Sequence, residues 1–156
     1  MSVPIPFRMG LGLFLVLAIA ACGTAGVRVK LEEVPKPAVK AVQDRFSKAT
    51  IRYVERETNG DYEFAMKEGD KLFDVGVSAA GKLLNIKEEL GEDKLPKAVK
   101  DGLLKQFPGA KIVETEKVIV IDGKKEQVTY ELKIKADNKT LEAVFDEAGK
   151  YLGEPK

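Results

Sequence analysis

Histidine and tryptophan are absent from the chain, and cysteine occurs once, as Cys22. Without histidine there is no Ser–His or Cys–His nucleophile pair, no imidazole general base and no histidine-ligated metal. A single cysteine forms neither an internal disulfide nor a thiolate zinc cluster. An excess of one charge is missing too, since 26 Lys plus Arg stand against 25 Asp plus Glu. No global field therefore points to nucleic acid or to an acidic substrate. What remains is a chain of 156 residues, 33% charged and 44% hydrophobic, the balance of an ordinary soluble protein. That length suits one domain of usual size or two very small ones.

The first residues read as an address. Arg8 and the amino terminus supply positive charge, and Met9–Ala21 follows as an uncharged apolar run. As a helix that run would span about 20 Å, short of the ~30 Å hydrocarbon core. A basic start, an apolar middle and a small-residue exit are the pattern of a secretory signal, here residues 1–21. The exit Ile19-Ala20-Ala21-Cys22 resembles the bacterial lipobox, in which the cysteine thiol is acylated before cleavage. Cys22 is thus the candidate lipidation site. The competing readings are an ordinary exit cut after Ala20 or Ala21, giving a secreted protein, and an uncleaved anchor. Residue 23 is Gly and not Asp, which by resemblance to enterobacterial sorting favours the outer membrane. Residues 22–30 read as a linker, with Val27–Leu31 as a first strand the competing view. Loss of residues 1–21 removes only Arg8, leaving 25 basic and 25 acidic residues.

The remainder is one unit written twice. At an offset of 61, Val34-Pro35-Lys36 falls on Leu95-Pro96-Lys97, Phe46 on Phe107 and Ile51 on Ile112. At an offset of 68, Tyr62-Glu63-Phe64 falls on Tyr130-Glu131-Leu132, and Ala80-Gly81-Lys82 on Ala148-Gly149-Lys150. The offset changes where the first hairpin turns, and loop tips are where insertions are tolerated. The units are residues 31–90 and 91–156, with Gly91-Glu92-Asp93-Lys94 as the connection.

Each unit opens with a predicted helix. Ala38, Val39, Ala41, Val42 and Phe46 recur at three- and four-residue spacing after Pro37, as Ala98, Val99, Gly102, Leu103 and Phe107 do after Pro96. Phe46 and Phe107 are expected to be equivalent anchors. Strands follow. Ile51–Glu57 leads to the hairpin signal Asn59-Gly60. Tyr62, Phe64 and Met66 then share a face, as do Phe73, Val75 and Val77, before a short strand at Lys82–Lys87. In the second unit Ile112–Ile121 leads to Asp122-Gly123. Tyr130, Leu132 and Ile134, then Leu141, Ala143 and Phe145, point inward. Strict alternation implies antiparallel sheet with one face on the helix and one wet. The predicted class is α+β. Each repeat has an N-terminal helix on three or four antiparallel strands, and joined sheets are expected because units of this size are small alone.

The order Pro, helix ending in Phe, Pro108–Ile112, Tyr-Glu-aliphatic strand and Val144–Lys150 (Val-Phe-Asp-x-x-Gly-Lys) resembles the PepSY-like domain. That group's fold is likened to beta-lactamase inhibitory protein. The likeness covers about residues 31–154 and is stronger in the second half. The first half departs, with Ser47-Lys48 for Pro-Gly and Val77-Ser78 for Phe-Asp. The resemblance implies a tandem α+β fold in secreted, often lipidated, proteins. By analogy with relatives it suggests inhibition of an envelope hydrolase or peptidase, and fold analogy is weak warrant for that.

Carboxylate pairs are the one catalytic device left. Glu88-Glu89, Glu92-Asp93 and Asp146-Glu147 are neighbours in sequence, whereas acid/base work needs acids facing each other across a cleft. The turns Glu68-Gly69-Asp70 and Asp137-Asn138 offer oxygen ligands without a calcium-loop spacing. No catalytic residue, cofactor or metal is expected. The wet sheet face is the functional candidate, through Arg52, Arg56, Glu63, Lys67, Lys133, Lys135 and Glu142. Its mixed sign suits another protein's polar surface, and without interleaved aromatics it does not suit single-stranded nucleic acid. The expected function is a non-enzymatic cell-envelope lipoprotein that faces the periplasm and binds, or inhibits, another envelope protein. Its only membrane contact would be the lipid anchor. The alternative is a small-ligand or metal-ion-binding periplasmic module.

Overall fold

A computed structural model describes residues 26–137 and 139–155. The signal segment, the lipobox and Cys22 lie outside the described residues.

The alternating stretches pair into a single antiparallel sheet of nine strands, ordered along the sheet as along the chain. The first five are β1 Val27–Val29, β2 Thr50–Arg56, β3 Tyr62–Glu68, β4 Lys71–Val77 and β5 Leu83–Glu89. The others are β6 Lys111–Asp122, β7 Lys125–Ala136, β8 Lys139–Asp146 and β9 Tyr151–Gly153. Helix α1, Lys36–Arg45, lies between β1 and β2, and α2, Lys97–Gln106, between β5 and β6. The fold is α+β, with two helices on a nine-stranded sheet. The two units' strands are continuous, because β5 pairs with β6 from Asn85↔Val120 to Glu89↔Glu116.

Each helix starts on a proline that needs no donor. The carbonyl of Pro35 accepts from the N–H groups of Ala38 and Val39, and that of Pro96 from Val99 and Lys100. Each helix has ten residues and fully buries two of them, Ala38 and Val42 in α1 and Val99 and Leu103 in α2. Helices this short are marginal alone, so the sheet must hold them. Phe46 and Phe107 cap the two helices and are half-buried, with ring centroids 5.2 Å from Phe73 and 5.4 Å from Tyr151.

Two hydrophobic clusters form under this helix layer. The first joins Val42 to Val54, Phe64, Met66 and Val75. The second joins Leu103 to Tyr130, Leu132, Ile134 and Phe145. The inward faces predicted for these strands are the faces observed. The longer hairpin of the second unit is also where expected, with β6 and β7 of 12 residues against 7 in β2 and β3.

Three boundaries differ from expectation. The residues read as linker include β1, which pairs Val27–Val29 with Val54–Arg56. A three-residue strand gains stability by completing the open hydrogen bonds of β2, which a local reading does not show. The predicted connection at 91–94 holds a turn of 3-10 helix, Glu92–Lys94, matching Leu31–Glu33 ahead of α1. The units also share an element. β5 follows β4 in the first unit and precedes α2 as β1 precedes α1. A cut between residues 90 and 91 therefore separates α2 from its leading strand.

Candidate functional site

Strand register assigns every side chain to the helix face or to the opposite, outer face. Because Phe64, Val75, Ile86 and Leu132 face the core, the outer face carries Glu63, Ala65 and Lys67 on β3, and Asp74 and Gly76 on β4. On β5 it carries Asn85, Lys87 and Glu89. On β6 and β7 it carries Glu114, Glu116, Val118, Thr129, Glu131, Lys133 and Lys135. Among the described residues no helix covers this face, yet it is not uniformly wet. Ala65, Val118 and Thr129 are 2%, 2% and 6% exposed. These small or β-branched side chains form a floor, and the longer charged groups form walls.

Lys87 stands at the middle. It pairs with Asp74 on β4 and with Val118 on β6. Glu63, Asp74, Glu116 and Glu131 surround it half-buried, and desolvation pushes all four carboxyls above their ordinary values. The Lys87 charge is the largest opposing influence on each of them, and neighbouring acids add to the upward push. Four acids thus share one central cation.

Two cavities flank Lys87. One, of about 260 Å³, lies between Glu116, Glu131, Lys133 and Glu142. The other, of about 750 Å³, extends over Gly76 and Asn85 towards Glu55, Glu57 and Glu63. One carboxylate oxygen from each of these three acids lies within 4.8 Å of the others. Arg28 on β1 stacks 3.8 Å from the Tyr53 ring centroid and reaches Glu55 at 3.7 Å, so the edge strand braces this end of the face.

The residues chosen from sequence fall in different places. Glu63, Lys133 and Glu142 line the cavities, with Lys133 Nζ 3.3 Å from Glu114. Lys67 and Lys135 are on the same face at its far end, Lys135 opposite Lys111. Arg52 sits in an irregularity of β2 between Ile51 and Tyr53, and its charge joins that of Lys87 in opposing the upward shift of Asp74. Arg56 is a correction. It pairs with the core residue Tyr62 and so belongs to the helix side, at the rim. The irregularity shifts the parity of β2, so Arg52 and Arg56 do not share a face. Sequence reasoning missed Lys87, Asp74, Glu116, Glu131 and Asn85. Alternation marked Asp74 and Glu131 as outward, but only strand order brings them to Lys87.

Two of the adjacent acids have structural partners. Glu88 pairs with Lys71 at 2.8 Å, and Asp146 Oδ1 accepts from the Ala148 and Lys150 N–H groups. Asn138 of the second turn lies outside the described residues. Among the described residues no helix is long and apolar enough to cross a membrane.

The repeat and this sheet are shared with known proteins. A sequence model of the beta-lactamase-inhibitor-like, PepSY-like family matches residues 24–85 and again 78–152. The chain belongs to that family. The two matches overlap across the start of β5, the element the units share. Among solved structures, a BLIP-like protein of Bacteroides fragilis aligns with TM-score 0.61 at 17% identity, over 76% of this chain and 83% of that one. A DUF2874 family protein of Bacteroides ovatus aligns with TM-score 0.64 at 15% identity, over 76% and 84%. A protein of Bacteroides eggerthii described as periplasmic aligns with TM-score 0.62 at 13% identity, over 76% and 86%. These likenesses carry the fold. No curated protein matches the chain.

The raised carboxyls set a pH dependence. Folded-state values above the ordinary 4.5 and 3.8 mean that the folded chain binds more protons than the unfolded chain just above that range. Stability therefore rises as pH falls from neutral into that window. The urea midpoint is expected to be higher at pH 5 than at pH 7.5, with a smaller rise in Glu116→Gln. A midpoint that falls steadily over the same interval would contradict this assignment.

Proposed function

We propose that the chain is a non-enzymatic binding module of the cell envelope that docks another envelope protein on the outer face of its sheet. The observation that carries this reading is that face itself. It spans the strands of both repeats with no helix over it among the described residues, and its half-buried charges surround Lys87. Such charges are left incompletely paired within the chain, and a partner's polar groups complete them. Lys67, Lys133 and Lys135 extend the recognition surface, and what docks there is blocked by steric cover. The likeness to a BLIP-like protein makes an envelope hydrolase or peptidase the partner class to try first.

In this reading Cys22 carries acyl chains that hold the domain at the periplasmic side of the outer membrane, and tethering raises its effective concentration for envelope partners. One experiment addresses both parts. A photo-reactive amino acid replaces Lys67 on the outer face or Lys40 on the helix side, in cells fed a labelled fatty acid. The position-67 protein should cross-link a discrete envelope protein and the position-40 protein should not. The label should vanish in Cys22→Ala. Cross-linking equal from both faces, or from neither, would overturn the docking reading, and label retained in Cys22→Ala would overturn the anchor.

A further inference from the structure

One stretch of regular backbone is left open at the margin of the sheet. On β8 the Asp146 N–H donates to the Lys150 carbonyl, and the Asp146 carbonyl accepts from the Gly149 N–H, so both groups point away from β7. Backbone groups alternate in direction along a strand, and the β7–β8 register is unbroken from Thr129↔Asp146 to Ala136↔Lys139. Val144, Glu142 and Thr140 therefore turn their groups the same way. β9 pairs with β8 at Val144, through Gly153, and at Phe145. Two residues beyond Gly153 the ladder would reach Glu142 through Pro155, which stands beside Glu142 on the wall of the smaller cavity. Proline has no N–H to continue it. Among the described residues, Thr140 and Glu142 thus keep open edge groups. The opposite margin differs, because β2 outside its pairing with β1 is interrupted by the irregularity at Arg52. An irregular edge resists pairing, and a regular open one is a template for another strand.

An independent observation lies beside that edge. Gly109, Lys111, Lys135, Asp137, Lys139 and Thr140 line a hollow of about 630 Å³, three lysines to one acid. Lys111 and Lys135 stand directly opposite one another on β6 and β7, where like charges repel. None of the three lysines forms an ion pair among the described residues. On the helix side of the same edge, Leu141 is partly buried against the second cluster. The edge asks for an extended backbone, the hollow for acids, and Leu141 for an apolar neighbour.

We propose that β8 accepts, at Thr140–Glu142, an extended segment of a partner protein in which acidic and apolar residues alternate, added to the sheet in line with β9. Main-chain hydrogen bonds then supply affinity, and alternate side chains supply selection. Acids of the segment lie on the outer face beside Lys135 and Lys111, and its apolar residues lie on the helix side beside Leu141. A second copy of this chain fits less well, since its own β8 would bring Lys135 and Lys139 against the same lysines. The contact uses a backbone edge that docking on the outer face does not need, so the two readings fail separately.

The test uses the full chain and a fluorescent Glu-Val-Glu-Val-Glu-Val peptide, followed by anisotropy at low salt, where charge attraction is least screened. This peptide should bind saturably, and Lys-Val-Lys-Val-Lys-Val should not. Two methylated forms then read the strand geometry without touching the protein, one N-methylated at every Glu and the other at every Val. One set of N–H groups faces β8 and the other faces solvent. One form should therefore bind at least tenfold more weakly, and the other should stay within twofold. Lys111→Gln and Lys135→Gln combined should weaken the unmodified peptide tenfold or more, with an unchanged or higher urea midpoint because repulsion is relieved. Lys40→Gln and Lys100→Gln combined, on the helices, should leave it within twofold. No binding, equal weakening by both methylation patterns, or equal weakening by both lysine pairs would overturn the proposal. So would a chain that is dimeric alone and that the peptide dissociates, which would make the edge a self-pairing site.

Discussion

Phe145→Ala should lower the unfolding free energy by about 3–5 kcal/mol, the cost of emptying a fully buried aromatic site. Phe145 is 0% exposed, lies opposite Tyr130 on β7 and Tyr151 on β9, and has its ring centroid 5.5 Å from that of Tyr151. It is the largest fully buried side chain of the second cluster, which also holds Val99 and Leu103 of α2. Typical domains have about 5–15 kcal/mol in total, so the loss is a large share. Phe107→Ala should cost less, because Phe107 is half-buried at the helix end and its neighbours can close part of the gap. Urea denaturation of the three proteins measures this. A Phe107→Ala loss larger than that of Phe145→Ala would mean that the helix end, and not the sheet, anchors the second core.

The second large effect is expected from a methyl group. Gly149→Ala should cost about 2–4 kcal/mol, whereas Gly123→Ala should cost about 1–2, the left-handed strain alone. Both glycines have positive φ, 80° and 62°. A Cβ at position 123 meets nothing within 4 Å, while one at 149 would strike the backbone carbonyl of Ala98 in the first turn of α2. The first unit repeats the contact, with Gly81 at φ 85° against the Pro37 carbonyl of α1. Each helix thus begins on the turn before its unit's last strand, at a distance only glycine permits. Equal midpoints for Gly149→Ala and Gly123→Ala would show that α2 can lift off this turn without loss.

Much of this architecture was legible beforehand. Tyr62, Phe64 and Met66, or Tyr130, Leu132 and Ile134, alternate with polar residues so strictly that strand, face and core follow from period alone. Asn59-Gly60 and Asp122-Gly123 marked the hairpins. The recurrence of Ala-Gly-Lys at residues 80–82 and 148–150 marked a turn, but its reason is the carbonyl pressed against each glycine, a contact between distant segments. β1 escaped because three residues carry almost no period, and Arg56 was placed on the wrong face because one irregularity in β2 reverses parity beyond it.

Local chemistry determined the catalytic groups the chain lacks, the two amphipathic helices, the alternating strands and the duplication, because each is written in spacing of a few residues or in composition. The tertiary structure decided that nine strands form one sheet, that β5 serves both units, and that Glu63, Asp74, Glu116 and Glu131 meet around Lys87. Those residues come from four different strands on either side of β5, and their positions along the chain carry no sign of the others. Strand order and register bring them within electrostatic range, and the uncovered, partly dry floor between them is what raises their pKa values.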